Sequence, residues 1–138
     1  MLTQLTYASR AAENLNSQDL ISIVSTAQHN NAVYGLTGAL CYANGTFLQY
    51  FEGNHLPVQR LYQNLLKDNR HCQLKIVSVH EIAERRFPAW AMGFFSYESD
   101  IAQLFIAHSK MAELSPFSMT TSNANEFFNE VVKYVSIA

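Results

Sequence analysis

Charge is scarce in this chain: of its 138 residues only 14% are Asp, Glu, Lys or Arg, and the formal net charge is -2. A surface that neutralises a row of phosphates needs clustered cations, so a nucleic-acid partner is not expected. Cysteine is nearly missing. Cys41 and Cys72 lie far apart, without the spacing of a zinc site or a redox pair, and read as small core residues. Long apolar runs are missing too. Residues 1–30 hold no basic stretch followed by an apolar run, and no later segment approaches the roughly 20 apolar residues that span a bilayer. A soluble, cytoplasmic protein without a membrane partner is expected. There is no nucleophile elbow or Walker-type loop, and Gly35 with Gly38 falls short of a dinucleotide fingerprint. His29, His55, His80 and His108 show no ligand spacing, so no metal is expected.

What is present is a chain with 49% hydrophobic residues, long enough for one domain with a core that needs no staples. Leu2 to Ala8 suits a strand, with Leu5 and Tyr7 on one face. Asn16 or Ser17 can cap a helix whose inner stripe runs Leu20, Ile23, Val24, Ala27 and ends in Asn31. Leu36 to Ala43 and Thr46 to Phe51 flank Asn44-Gly45, a pair that takes the positive φ angles of a tight hairpin. Pro57 fits the first turn of a second helix carrying Val58, Leu61, Tyr62 and Leu65. Leu74 to Val79 reads as a fourth strand, and Ala89 to Tyr97 as a fifth with Trp90, Met92 and Phe94 on one face.

The order β-α-β-β-α-β-β predicts an α+β fold, a ferredoxin-like sandwich with strands 1 and 3 adjacent at its centre. Beyond Ser96, a stripe of Ile101, Leu104 and Phe105 suggests one helix, and Ala124, Phe127, Phe128, Val131 and Val135 another. A joint at residues 114–123 separates them. Both helices are expected on the open face of the sheet, or alternatively in an oligomer contact.

Some polar residues do not suit a core. Strand 3 puts Gln49 between Phe47 and Phe51 on one face, and a buried amide without partners costs about 1–3 kcal/mol. A backbone carbonyl or buried water would satisfy it. Tyr7, on the neighbouring strand, is a second candidate, although a core tyrosine with a satisfied hydroxyl also explains that residue. Asn31 either caps the carbonyls of its helix or turns its amide toward the same space. A phenol and two carboxamides around one space match a planar heterocycle with a lactam-like edge. Trp90 and Met92 are explained by core packing as well. Arg70, in Asp68-Asn-Arg-His71, either sits at a solvated helix end or holds an oxygen with its planar fork.

With these residues in view, the chain resembles the BLUF family of flavin-binding blue-light sensors. The matching pieces occur in family order: Leu5-Thr-Tyr7-Ala-Ser9, Asn30-Asn31, Gly35-Leu-Thr-Gly38, Phe47-Leu-Gln49, Glu52-Gly53, Asp68-Asn-Arg-His71 and Phe87-Pro-Ala-Trp90-Ala-Met92. They cover residues 1 to about 96. The resemblance implies a flavin, FAD or alternatively FMN or riboflavin, held between the two helices. It makes Tyr7 the electron and proton donor and Gln49 the amide that links its hydroxyl to flavin N5 and the C4 carbonyl. It assigns Asn31 to the C4 carbonyl and N3 edge and Arg70 to the opposite carbonyl. Asn30, Asp68 and His71 shape the pocket, and Ile23 packs on the ring. Trp90 and Met92 are the expected relay.

Two positions depart from the commoner pattern. Ala27 stands where some relatives have serine, and Leu36 replaces an isoleucine. Residues 1–97 are the expected flavin-binding domain and 98–138 a helical extension. With no enzyme domain after residue 138, output is expected through a separate downstream protein or a change in self-association, and a homo-oligomer is expected. Two alternatives are an acylphosphatase-like hydrolase using an asparagine and an arginine, and a cofactor-free interaction module.

Overall fold

The structure, a computed structural model, describes residues 1–12, 16–43, 45–67, 71–87, 93–96 and 120–137. Its strands are β1 (Leu2–Ala11), β2 (Thr37–Ala43), β3 (Thr46–Asn54), β4 (His71–Ile82) and β5 (Gly93–Ser96). Its helices are α1 (Ser17–Tyr34), α2 (His55–Leu66) and α3 (Thr121–Ile137). The sheet order is β4-β1-β3-β2-β5. The first four strands are antiparallel to their neighbours, and β5 adds to β2 in parallel. That is the expected ferredoxin-like arrangement with β1 and β3 side by side.

Local chemistry sets the ends of α1. The Asn16 side chain accepts from the Asp19 N–H at 2.9 Å, and the Asp19 carboxylate accepts from the Asn16 N–H at 3.1 Å, a reciprocal capping box. The helix closes at Gly35, whose φ of 68° is left-handed, and the Leu36 N–H reaches the Asn31 carbonyl at 2.8 Å. Gly38 answers a different need. A Cβ there would lie 2.0 Å from the Tyr50 carbonyl oxygen, so glycine lets β2 approach β3. The two glycines are thus backbone devices of the helix end and the sheet.

Strand β4 is longer than the expected Leu74 to Val79. Paired Cα positions jump from Ser78 to Ile76 opposite Thr6 and Tyr7, and from Lys75 to Cys72 opposite Ala8 and Arg10. These are bulges, one of them with Gln73 at φ 53°. Each bulge breaks the alternation by one residue, so a period of two finds only a fragment of the strand. The remainder, ending in His80, Glu81 and Ile82, forms because β1 pairs with β4 from Leu2 to Ala11, along the edge that faces away from β3.

The sheet is covered on both faces. On one, α1 packs Ile23 against Leu40 and Phe47, while α2 packs Val58 and Leu61 against Leu5, Tyr7 and Phe51. On the reverse face, Ala124, Phe127, Phe128 and Val131 of α3 are buried, the last three in a cluster with Ala8, Ala39, Cys41, Leu48, Tyr50 and Phe87. Thr120 caps α3 by accepting the Asn123 N–H at 3.1 Å, and the Thr121 hydroxyl donates to the carbonyl of Val77, the extra residue of the first β4 bulge. The expected cover of the open face therefore holds for α3. The preceding helix, suggested by Ile101, Leu104 and Phe105, lies outside the described residues, as does Asn44 of the hairpin.

Candidate functional site

Tyr7 and Gln49 are direct partners in the β1–β3 register, and both are buried, with 0% and 3% of their surface exposed. The Tyr7 hydroxyl donates to Gln49 Oε1. Both side chains point to the face covered by α1 and α2, and the Tyr7 ring meets Phe51 edge-on at 6.1 Å between centroids. Their position along the strand matters. Phe47, two residues before Gln49, belongs to the α1 cluster, and Phe51, two residues after, to the α2 cluster. The phenol and carboxamide therefore lie at the seam between two apolar layers.

Helix α1 brings Asn31 to the same face. Its side chain is fully buried, and the stripe leading to it, Leu20, Ile23, Val24 and Ala27, packs on Leu40 and Phe47. Asn30 is half-buried beside it. The donor set has a definite chemistry. A carboxamide that accepts through Oε1 keeps its two donors on Nε2, and Asn31 adds a second carboxamide. Amides and a phenol at an apolar seam suit the carbonyl and N–H edge of a flat heterocycle, with Ile23 and the α2 residues Leu61 and Leu65 as apolar walls. The residues present fit a flavin ring.

The structure pairs Tyr7 with Gln49 and buries Ile23 and Asn31 of α1, with Asn30 half-buried next to Asn31 in the chain. Asp68, Arg70, Trp90 and Met92 lie outside the described residues. His71 is described only in its backbone, where it opens β4 opposite Ala11. A groove of about 750 Å³ runs along α2 between Thr3, Tyr34, His55, Leu56 and Val79, and it contains neither Tyr7 nor Gln49. The seam that holds Tyr7 and Gln49 is the candidate site. Among the described residues no cluster of three His, Cys, Asp or Glu could hold a metal, and no helix is long and apolar enough to cross a membrane.

Sequence reasoning missed the buried Glu52 network on the reverse face. Directly behind the site, Tyr50 and Glu52 point away from α1 and α2, and Glu52 is fully buried. Its Oε1 accepts from the Tyr50 hydroxyl at 2.8 Å and the Arg86 N–H at 2.7 Å. Its Oε2 accepts from the Thr37 hydroxyl at 2.8 Å and the Phe87 N–H at 2.7 Å. Burial, followed by the neighbouring Glu52 charge, pushes the Tyr50 hydroxyl well above its ordinary pKa. Burial alone does the same to the Cys41 thiol. A signal was available: once a helix is expected over the open face, the Leu48-x-Tyr50-x-Glu52 alternation places a carboxylate indoors, where it must be paired.

A family model for BLUF, described as sensors of blue-light using FAD, matches residues 2–93. Photoactivated adenylate cyclase subunit beta of Euglena longa is 39% identical over 92 residues, 66% of this chain and 11% of that protein. The subunit beta of Euglena gracilis is 37% identical over the same shares. The chain therefore spans about a tenth of the length of these curated relatives. Among solved structures, BlsA in its photo-activated state is similar with a TM-score of 0.85 and 32% identity, covering 96% of this chain and 95% of that one. The dark-state structure of BlrB gives 0.82 at 26% identity, over 96% of each chain.

Proposed function

From the premise that the chain belongs to the BLUF family, sensors of blue light using FAD, we propose that it is a cytoplasmic blue-light photoreceptor switched by Tyr7 and Gln49. The observation that carries this reading is the buried hydrogen bond from the Tyr7 phenol to the Gln49 amide at the seam between the α1 and α2 clusters. A bound flavin would supply the visible absorption and an acceptor for the electron and proton of Tyr7. FAD is the proposed form; FMN and riboflavin offer the same ring to the same side chains.

Tyr7 gives up an electron and then its hydroxyl proton, and recovers both. Between the two steps the Gln49 carboxamide rotates or tautomerises, so its donor and acceptor ends exchange partners. The burial of both residues keeps water from competing for those hydrogen bonds. Ile23 would wall the ring, Asn31 would hold the C4 carbonyl and N3 edge, and Arg70 the opposite carbonyl. Asn30, Asp68 and His71 would shape the pocket. Trp90 and Met92, expected on the fifth strand, are the proposed relay to the C-terminal helices, and output passes to a separate protein or into self-association. The domain senses and does not itself turn over a substrate.

Absorption of the purified chain before, during and after blue light tests the reading. A yellow protein with a reversible red shift of its visible band is expected. Tyr7→Phe should retain flavin, because the ring packing survives, and should lose the shift. A colourless protein that hydrolyses acyl phosphates would replace the sensor with the hydrolase reading. A normal photocycle in Tyr7→Phe would remove that residue from its role.

A further inference from the structure

Gln49 and Tyr50 are neighbours on β3 that serve opposite faces of the sheet. The Gln49 side chain meets Tyr7, while the Tyr50 ring packs on the reverse face against Phe128 of α3, tilted at 5.2 Å between centroids, and meets Phe87 edge-on at 5.5 Å. Phe87 in turn meets Phe128 edge-on at 6.3 Å. Glu52 gathers these parts. Its buried carboxylate holds the Tyr50 hydroxyl and the backbone N–H groups of Arg86 and Phe87. The same carboxylate takes the Thr37 hydroxyl of β2, so one group joins β2, β3 and the segment before β5.

We propose that Glu52 is the positioning residue that couples the Gln49 switch to helix α3, by latching Tyr50 and Phe87 into one unit beneath Phe128. The inference rests on the photoreceptor reading and adds a path across the sheet to the relay along β5. A shift of β3 at Gln49 moves the backbone of Tyr50, and the latch prevents that movement from being absorbed by a loose ring or a loose loop. Two of the four donors on Glu52 are backbone N–H groups, which cannot rotate to become acceptors. A buried carboxylate can serve both of them at once, and an amide cannot. In Glu52→Gln the NH2 end faces one backbone N–H whichever way the amide turns. That single unpaired contact loosens the latch while the side-chain volume stays the same.

The test uses the full chain with flavin bound and compares wild type, Glu52→Gln and Tyr50→Phe. Absorption reports the switch, and light-minus-dark amide hydrogen exchange of residues 120–137 reports α3. Wild type should show the red shift together with a change in exchange over α3. Glu52→Gln should keep the red shift and lower dark protection of α3 by about tenfold. Its light-dependent difference should disappear. A purely structural carboxylate would lower protection equally in dark and light and preserve that difference. Tyr50→Phe, which keeps every ring contact and removes one donor, folds on an unchanged core and should retain less than half of the wild-type difference. A full difference in either variant overturns the latch, as does a wild type whose red shift leaves α3 exchange unchanged. A wild type with no red shift overturns the photoreceptor reading itself.

Discussion

A glutamine between two phenylalanines on a buried strand face must be paired to be held there, and its pairing with a phenol points to chemistry. In Gln49→Leu the side-chain volume is nearly kept and Phe47 and Phe51 hold their places, but the Tyr7 hydroxyl loses its acceptor. The apo protein should be destabilised by about 1–3 kcal/mol in urea unfolding, the cost of a buried hydroxyl left without its partner. With flavin bound, the variant should be yellow and show no red-shifted state. A full red shift in Gln49→Leu would mean that the reorganising group lies elsewhere. This residue was legible because alternation alone puts it on the Phe47 and Phe51 face, and adjacency of the first and third strands follows from the element order. Glu52 was legible only in part: alternation with Leu48 and Tyr50 puts it beneath the expected helix, but Thr37, Arg86 and Phe87 reach it from another strand and a loop whose meeting no local pattern announces.

Among the elements, the β2–β3 pair depends most on what a residue lacks. A methyl group at Gly38 would lie 2.0 Å from the Tyr50 carbonyl oxygen, and backbone cannot swing aside as a side chain can. Gly38→Ala must therefore part the two strands behind Gln49 and should cost about 3 kcal/mol. Gly35→Ala meets nothing within 4 Å and bears only the strain of φ 68°, about 1 kcal/mol. Urea midpoints of the two variants check the ranking; an equal or reversed order would mean that helix closure, and not strand approach, limits this region. Helix α1 was legible in its cap and inner stripe because both are local. Strand β4 was legible only in its middle. Its bulges exist to keep pace with β1, and a register imposed by a partner strand leaves no periodic trace in the strand that adapts.

For the molecule as a whole, the layer beneath α3 ties stability to pH. Cys41 and Tyr50 both lie in the cluster that α3 covers, and burial raises both above their ordinary values of 9.0 and 10.0. A raised pKa means that the folded protein holds its proton more tightly than the unfolded chain does. The corresponding stability is complete below about pH 9 for the thiol and pH 10 for the phenol, and it is lost as pH rises above those values toward the folded pKa. Ionisation of either group would place a charge between α3 and the sheet, with the Tyr50 phenolate facing the Glu52 carboxylate. Alkaline unfolding should therefore begin at this face. Urea midpoints measured from pH 8 to pH 11 should fall steeply in wild type above pH 9 and less steeply in Cys41→Ala combined with Tyr50→Phe. The variant starts from a lower midpoint at pH 8, because it has lost a sulfur atom from the core and a hydrogen bond to Glu52, so the slope with pH is the quantity compared. Equal slopes would show that the alkaline sensitivity arises at the surface, from lysines and exposed tyrosines, and that the layer under α3 opens only with the rest of the fold.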